Sequence, residues 1–186
     1  MLVYTLGHST LPLEAFLAVV DGAGIATVAD VRRFPASRRH PHFARAPLGQ
    51  ALTRAGIAYE WLAGLGGRRR SRPDSPHVAW RSAGFRAYAD HMESAEFQAD
   101  LARLLALARS GPTAVLCAEA VPWRCHRQLI ADALVARGIE VQHLVAGRPP
   151  EPHRLTAFAR VEGERVVYDR VRAAPGVASR AERLRP

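Results

Sequence analysis

Apolar residues along the chain fall into five short runs that are rich in β-branched and aromatic side chains. Runs of this length and composition predict buried strands, and glycine, proline or charged residues follow each of them closely. The predicted strands lie at 2–6, 25–31, 57–62, 113–117 and 139–145.

The segments between these runs follow a helical period instead. Leu13, Phe16, Leu17 and Val20 recur at intervals of three and four residues, and Gly22 follows them, which predicts an amphipathic helix with a defined end. Similar patterns predict further helices near 44–55, 85–92, 97–108 and 123–137.

Alternating strands and helices predict the α/β class. We expect a three-layer architecture, in which a mostly parallel five-stranded sheet carries helices on both faces. Residues 1–147 are assigned to this α/β domain, and 148–172 to a C-terminal extension packed on the same domain. A small hairpin about Gly163 is predicted within that extension, and 173–186 is predicted to form a flexible tail.

Composition narrows the classes of protein to consider. The 186 residues are 48% hydrophobic, enough for one substantial core, and no apolar run approaches the ~18 residues that cross a bilayer. The first residues lack the basic and long apolar regions of a secretory signal, so we expect a cytoplasmic protein with reduced cysteines and no membrane partner.

The charge is strongly basic. The chain has 26 basic and 17 acidic residues, a formal charge of +9, and every basic residue is arginine. Such a surface attracts phosphate groups, which predicts an anionic small molecule or a nucleic acid as partner. The arginine-rich loop at 68–72 is either a solvated loop or an arm that contacts a nucleic-acid backbone.

Polar residues collect where the predicted strands end. In an open parallel sheet, ligands bind beyond the carboxyl ends of the strands, because loops and helix N-termini converge there. The candidate ligand-binding residues at this edge are Ser9, Asp30, Arg32, Arg38, Gly66, Gly67, Arg68, Arg124 and Arg127, with Tyr88 from a helix.

Both cysteines of the chain lie in the segment CAEAVPWRCHR, residues 117–127. Cys117 ends a predicted strand and Cys125 is expected in the first turn of the next helix, where the dipole and nearby arginines lower a thiol pKa. A cysteine nucleophile would then act with acid or base residues on an anionic substrate. The catalytic candidates are Cys117, Cys125, His8, Glu119 and His126.

Two other chemistries compete with nucleophilic catalysis at this segment. Zinc suits thiolate and imidazole ligands, but adjacent residues such as Cys125 and His126 point about 100° apart on a helix and rarely share an ion. We therefore predict no cofactor, and zinc stays the alternative at this segment. The other possibility is that arginines and backbone N–H groups bind an anion and that the thiols take no part in binding or catalysis.

Six segments together resemble the bacterial family called domain of unknown function 488: GHST (7–10), DVRRFPASRRHPHF (30–43), LGG (65–67), FRAYADHM (85–92), CAEAVPWRCHR (117–127) and EPHRL (151–155). The resemblance implies no activity. It does imply a set of motif positions, which coincide with the residues expected at the strand ends: His8, Ser9, Asp30, Arg32, Arg38, Gly66, Gly67, Tyr88, Cys117, Glu119, Cys125, His126 and Arg127.

Three functional hypotheses follow from the sequence. The first is a cleft that binds a phosphorylated or nucleic-acid-derived ligand, with a cysteine nucleophile. The second is a non-catalytic nucleic-acid-binding module, based on the charge. The third rests on a fainter resemblance to rhodanese-type sulfur transferases, in which a strand ending in Asp-Val-Arg precedes a strand ending in a catalytic cysteine.

Overall fold

The computed structural model describes residues 1–169. Its strands are β1 (Leu2–Gly7), β2 (Thr27–Asp30), β3 (Ala58–Trp61), β4 (Thr113–Cys117), β5 (Glu140–Leu144), β6 (Glu151–Pro152), β7 (Arg160–Glu162) and β8 (Arg165–Val167). Its helices are α1 (Leu13–Gly22), α2 (Arg45–Arg54), α3 (Ala83–His91), α4 (Ala95–Ser110) and α5 (Arg127–Val135). In this part of the chain, no helix is long and apolar enough to cross a membrane.

The main sheet has the strand order β3-β2-β4-β1-β5-β6. The first five strands of this order pair in parallel, which confirms the predicted α/β fold, and β6 adds a short antiparallel edge to β5. β4 and β1 occupy the centre, and every residue of β4 is buried. The carboxyl ends of β1, β2 and β4 therefore lie side by side.

Helices cover both faces of the sheet, because successive strand residues point to opposite sides. On one face, Val28 and Leu116 pack with Phe16 of α1 and Leu48 of α2. On the other face, strand residues pack with side chains of α3, α4 and α5, among them Phe97. The predicted three layers are thus confirmed.

The predicted helix over 123–137 is wrong at its beginning. Pro122–Arg124 form a short 3-10 turn, and Cys125 after it is extended, with φ −134° and ψ 150°. The turn closes through the Cys125 N–H, which donates to the Pro122 carbonyl, and α5 starts only at Arg127. Cys125 therefore lies in a connecting segment and not in the first turn of a helix.

The C-terminal extension contains the hairpin β7–β8, and Gly163 at its turn has φ +62°. Only a residue without a Cβ adopts this left-handed conformation at no cost, which explains why the hairpin turns at this glycine. The extension contacts the main domain through Tyr168, which packs against His77 and Trp80. The predicted tail 173–186 lies outside the described residues.

Candidate functional site

A cavity of about 510 Å³ opens at the carboxyl ends of the strands. It lies where the loops after β1, β2, β3 and β4 meet the start of α3. Ten sequence-predicted residues line it: His8, Arg32, Gly67, Arg68, Tyr88, Cys117, Glu119, Arg124, Cys125 and His126. Segments distant in sequence therefore do meet at one edge of the sheet.

Five predicted site residues do not line this cavity: Ser9, Asp30, Arg38, Gly66 and Arg127. Arg38 lies on the exposed surface, whereas Asp30 and Arg127 are completely buried beneath the site. Gly66 passes so close to Arg33 that a Cβ would lie 2.7 Å from the Arg33 Cβ. Arginine and glycine occur both among the residues behind the site and among the residues that line the cavity. Residue type alone therefore does not distinguish the two groups in the sequence.

The cavity also has lining residues that are absent from the sequence-based site. The additional residues are Arg33, Phe34, Ala36, Ser37, Ser82, Gly84, Phe85 and Ala118. Phe34 is 64% exposed and its ring lies under the Arg33 guanidinium, with 5.7 Å from the Arg33 Cζ to the ring centroid. The sequence shows an aromatic residue in a segment without a hydrophobic period, but it does not show that this residue lines the cavity.

Cys117 and Cys125 lie together at the base of the cavity, both buried and both with free thiols. The hydrogen bond from the Cys117 thiol lowers the pKa of Cys125 well below its ordinary value, since it stabilises the Cys125 thiolate. That bond and burial correspondingly raise the pKa of Cys117. In this pair, loss of the first proton leaves a thiolate that the remaining S–H stabilises, so the second proton is harder to remove.

The His126 imidazole faces the two sulfurs. Its Nδ1 lies 3.7 Å from the Cys125 Sγ and 4.0 Å from the Cys117 Sγ. Its Nε2 lies 3.3 Å from the carbonyl oxygen of Val31, which only accepts hydrogen bonds, so Nε2 donates to that oxygen and Nδ1 faces the sulfurs. The expectation that Cys125 and His126 point apart is wrong, because neither side chain projects from a regular helix.

Gly67 and Tyr88 lie on the other sides of this imidazole. A Cβ at position 67 would lie 2.9 Å from the His126 Nδ1, so a larger residue there would displace the ring. The Tyr88 ring lies 4.9 Å from the His126 ring, and its hydroxyl donates to the Leu65 carbonyl at 2.7 Å instead of pointing into the cavity. Burial raises the pKa of Tyr88 well above its usual value.

His8 lines the cavity in its neutral form. Burial, and then the nearby Arg32, lower the pKa of His8 to about 4. With one ring proton, His8 donates from Nδ1 to the Ser9 carbonyl at 3.0 Å and accepts from the Arg32 Nη1 at 3.3 Å. Both ring nitrogens therefore already have partners, which disfavours a role in proton transfer near neutral pH.

The positive charge of Arg32 is neutralised by the carboxylate of Asp30. Its guanidinium donates to both carboxylate oxygens of Asp30 and to the Phe43 carbonyl, and both side chains of the ion pair are almost completely buried. Tyr59 donates a further hydrogen bond to Asp30 at 2.7 Å. The pair supports the cavity wall and adds little net charge to it.

Three other arginines give the cavity its positive charge: Arg33, Arg68 and Arg124. In the described part of the chain, none of them lies within 4.0 Å of a carboxylate. Arg33 donates to the Arg68 carbonyl at 3.2 Å, and Arg68 has the left-handed φ of +59°. Glu119 is the acidic residue among those that line the cavity.

Arg127 fixes the loop that follows Cys117. It donates to the carbonyls of Glu119 and Ala120 and to the Thr5 hydroxyl. A chain of hydrogen bonds continues inward from Thr5 through His143 and His153 to Asp132, with 2.7, 2.9 and 2.8 Å between successive partners. The loop is thereby tied to the interior of the domain.

Comparison with known proteins gives one relationship. Neither the curated proteins nor the solved structures include a significant match. A family profile matches residues 12–134, which contain the cysteine pair, His126 and the cavity arginines and exclude β1 with His8. The match confirms the resemblance inferred from the sequence motifs: the chain belongs to the family described as Domain of unknown function DUF488.

Proposed function

We propose that the cavity binds a phosphate-bearing small molecule. The observation that carries this proposal is the group Arg33, Arg68 and Arg124, which line one cavity without a carboxylate partner in the described residues. Guanidinium groups bind phosphate oxygens through paired, charge-assisted hydrogen bonds. The phosphate group would lie between these arginines, above the cysteine pair.

The size and lining of the cavity favour a nucleotide-sized ligand. Its volume of about 510 Å³ lies within the range of roughly 300–1,000 Å³ that is typical of small-molecule sites. Phe34 and Phe85 also line it, and aromatic rings stack on planar groups such as nucleobases. A nucleoside monophosphate has both a phosphate group for the arginines and a planar base for the aromatic rings.

The arginine-rich loop supports a nucleic-acid-binding surface less well. Arg69 pairs with Glu96 at 2.9 Å, and Arg72 lies 3.3 Å from Asp74, so part of the positive charge at 68–72 is already neutralised. A single-stranded oligonucleotide remains the competing ligand, and its binding would weaken steeply with salt.

Isothermal titration calorimetry with adenosine monophosphate, inorganic phosphate and adenosine tests the proposal. We expect the two phosphate-bearing probes to bind and adenosine to bind at least ten times more weakly than the monophosphate. Arg124→Ala should weaken the monophosphate about 10- to 100-fold, because a hydrogen bond to a charged group contributes about 1.5–3 kcal/mol.

Arg109→Ala is the matched control, since Arg109 is exposed at the end of α4 and does not line the cavity. It should leave the affinity unchanged. Absence of binding by both phosphate-bearing probes, or equal losses in the two variants, would contradict the proposal. An oligonucleotide that binds while the monophosphate does not would instead support the nucleic-acid-binding module.

The role of the thiols is a separate question from anion binding. Attack on an electrophile and coordination of a metal ion both require a deprotonated sulfur. Cys117 or Cys125 as the nucleophile of an enzyme that acts on the bound anion stays a prediction, and so does rhodanese-like sulfur transfer.

A further inference from the structure

The base of the cavity holds three metal-binding atoms close together. The Sγ atoms of Cys117 and Cys125 and a ring nitrogen of His126 all lie within 4.8 Å of one another. Cys125 and His126 do not project from one helix, because Cys125 is extended, so both side chains can face the same ion. Thiolate and imidazole are the ligands that zinc prefers in proteins.

The spacing fits a tetrahedral ion with small adjustments. Zinc–sulfur bonds of about 2.3 Å and zinc–nitrogen bonds of about 2.0–2.1 Å place neighbouring ligand atoms roughly 3.5–3.8 Å apart. His126 Nδ1 lies 3.7 Å from the Cys125 Sγ and 4.0 Å from the Cys117 Sγ. The two sulfurs lie within 4.8 Å of each other, so side-chain shifts of at most about 1 Å would bring the three atoms around an ion.

The imidazole is already oriented as a ligand. Metal-binding histidines usually donate their second ring N–H to a carbonyl or carboxylate, which fixes the tautomer and the ring plane. His126 makes this contact with the Val31 carbonyl through Nε2, and Nδ1 faces the sulfurs. Gly67 leaves room for the ring in this orientation, since a Cβ there would meet Nδ1 at 2.9 Å.

The backbone that carries the ligands is also held in place. Cys117 is the last residue of a central strand, and Arg127 clasps the carbonyls of Glu119 and Ala120 in the loop between the cysteines. The ligand positions are therefore fixed by the fold before any ion binds.

We propose that Cys117, Cys125 and His126 form a three-ligand zinc site whose fourth position opens into the cavity. Three protein ligands with one open position are the arrangement of catalytic zinc sites, whereas structural zinc sites have four protein ligands. Two thiolates balance the charge of Zn²⁺, so the ion adds no net charge beside the arginines. Occupation of the fourth position by the anionic group of a bound ligand rests on the proposed function.

The experiment uses the full-length protein, reduced, stripped with EDTA, and then titrated with Zn²⁺ or Co²⁺. We expect one zinc ion per chain by mass spectrometry of the metal content. The cobalt form should have a thiolate-to-cobalt charge-transfer band in the near ultraviolet and intense d–d bands of a tetrahedral ion, and zinc should remove both. A cobalt spectrum without the charge-transfer band would overturn the site.

Variants identify the ligands. Cys125→Ser and His126→Gln should each weaken zinc binding at least 100-fold, whereas His42→Gln, which changes a histidine outside the cavity lining, should not affect it. Gly67→Ala removes no ligand atom but displaces the His126 ring, so it should weaken binding and shift the d–d bands. Unchanged zinc affinity in Cys125→Ser and His126→Gln would assign the metal elsewhere.

A measurement on the unaltered chain avoids the risk that a variant fails to fold. Iodoacetamide labelling of both cysteines should slow at least tenfold when zinc is added to the stripped protein, because bound thiolates are shielded. Equal labelling with and without zinc would overturn the site and leave Cys125 as a free nucleophile. Failure of the proposed function is distinct: the cobalt bands would persist in a protein that binds neither phosphate-bearing probe.

Discussion

Asp30→Ala is expected to lower the free energy of unfolding by about 3–5 kcal/mol, the usual cost of removing one partner from a buried ion pair. Asp30 is fully buried and accepts hydrogen bonds from the Arg32 guanidinium, the Arg32 backbone N–H and the Tyr59 hydroxyl. Without the carboxylate, the Arg32 charge stays in the interior with no counter-charge. Urea denaturation followed by circular dichroism measures the loss.

The double variant Asp30→Asn with Arg32→Met separates charge from packing. The introduced asparagine would still accept the Tyr59 hydrogen bond, and the methionine removes the unpaired cation while filling part of the same volume. Replacing both partners of a buried pair by uncharged groups is often close to neutral. We therefore expect the double variant to recover at least half of the stability lost in Asp30→Ala. If both proteins are equally unstable, the loss comes from packing and not from an uncompensated charge.

Gly7→Ala is expected to destabilise the protein by about 3 kcal/mol, at the upper end of the usual cost of overpacking a core. An added Cβ would lie 1.6 Å from the Glu119 carbonyl oxygen and 2.7 Å from the Arg127 Nη2. The obstacle is backbone, and Arg127 holds that same carbonyl, so the loop cannot move away without losing its hydrogen bonds. This contact explains the glycine in the motif GHST.

Gly22→Ala provides the comparison for Gly7→Ala. Gly22 ends α1, and no atom lies within 4 Å of a Cβ placed there, so alanine should change the free energy of unfolding by no more than about 1 kcal/mol. Both variants are measured by the same urea titration. Equal stability of Gly7→Ala and the unaltered protein would mean that the loop after Cys117 is free to rearrange.

The strands and their parallel arrangement were predictable because hydrophobic runs report burial directly. β4 is buried at every position, and its sequence TAVLC contains no charged residue. Topology then places the residues after each strand at one edge, which is why His8 and Cys117 were correctly expected in one place. These inferences need only the period of the pattern and the geometry of parallel sheets.

The roles of individual polar residues were less predictable, because burial depends on the whole fold. Arg124 and Arg127 are three positions apart in one motif, yet Arg124 is exposed at the cavity and Arg127 is fully buried behind it. The 3-10 turn that contains Arg124 depends on a backbone hydrogen bond between Cys125 and Pro122 that hydrophobic patterns do not report. The same turn brings Cys125 and His126 to Cys117.

The sequence that the family profile matches and the folded α/β domain do not cover the same residues, because β1 lies outside the matched range. The family profile begins at residue 12, but β1 lies before it and pairs with β4 on one side and β5 on the other. A fragment of residues 12–134 would lack both β1 and β5, leaving the apolar β4 as an open edge that favours aggregation. The part of this chain that the family profile matches therefore depends on β1, a strand outside the matched range, to pair with β4.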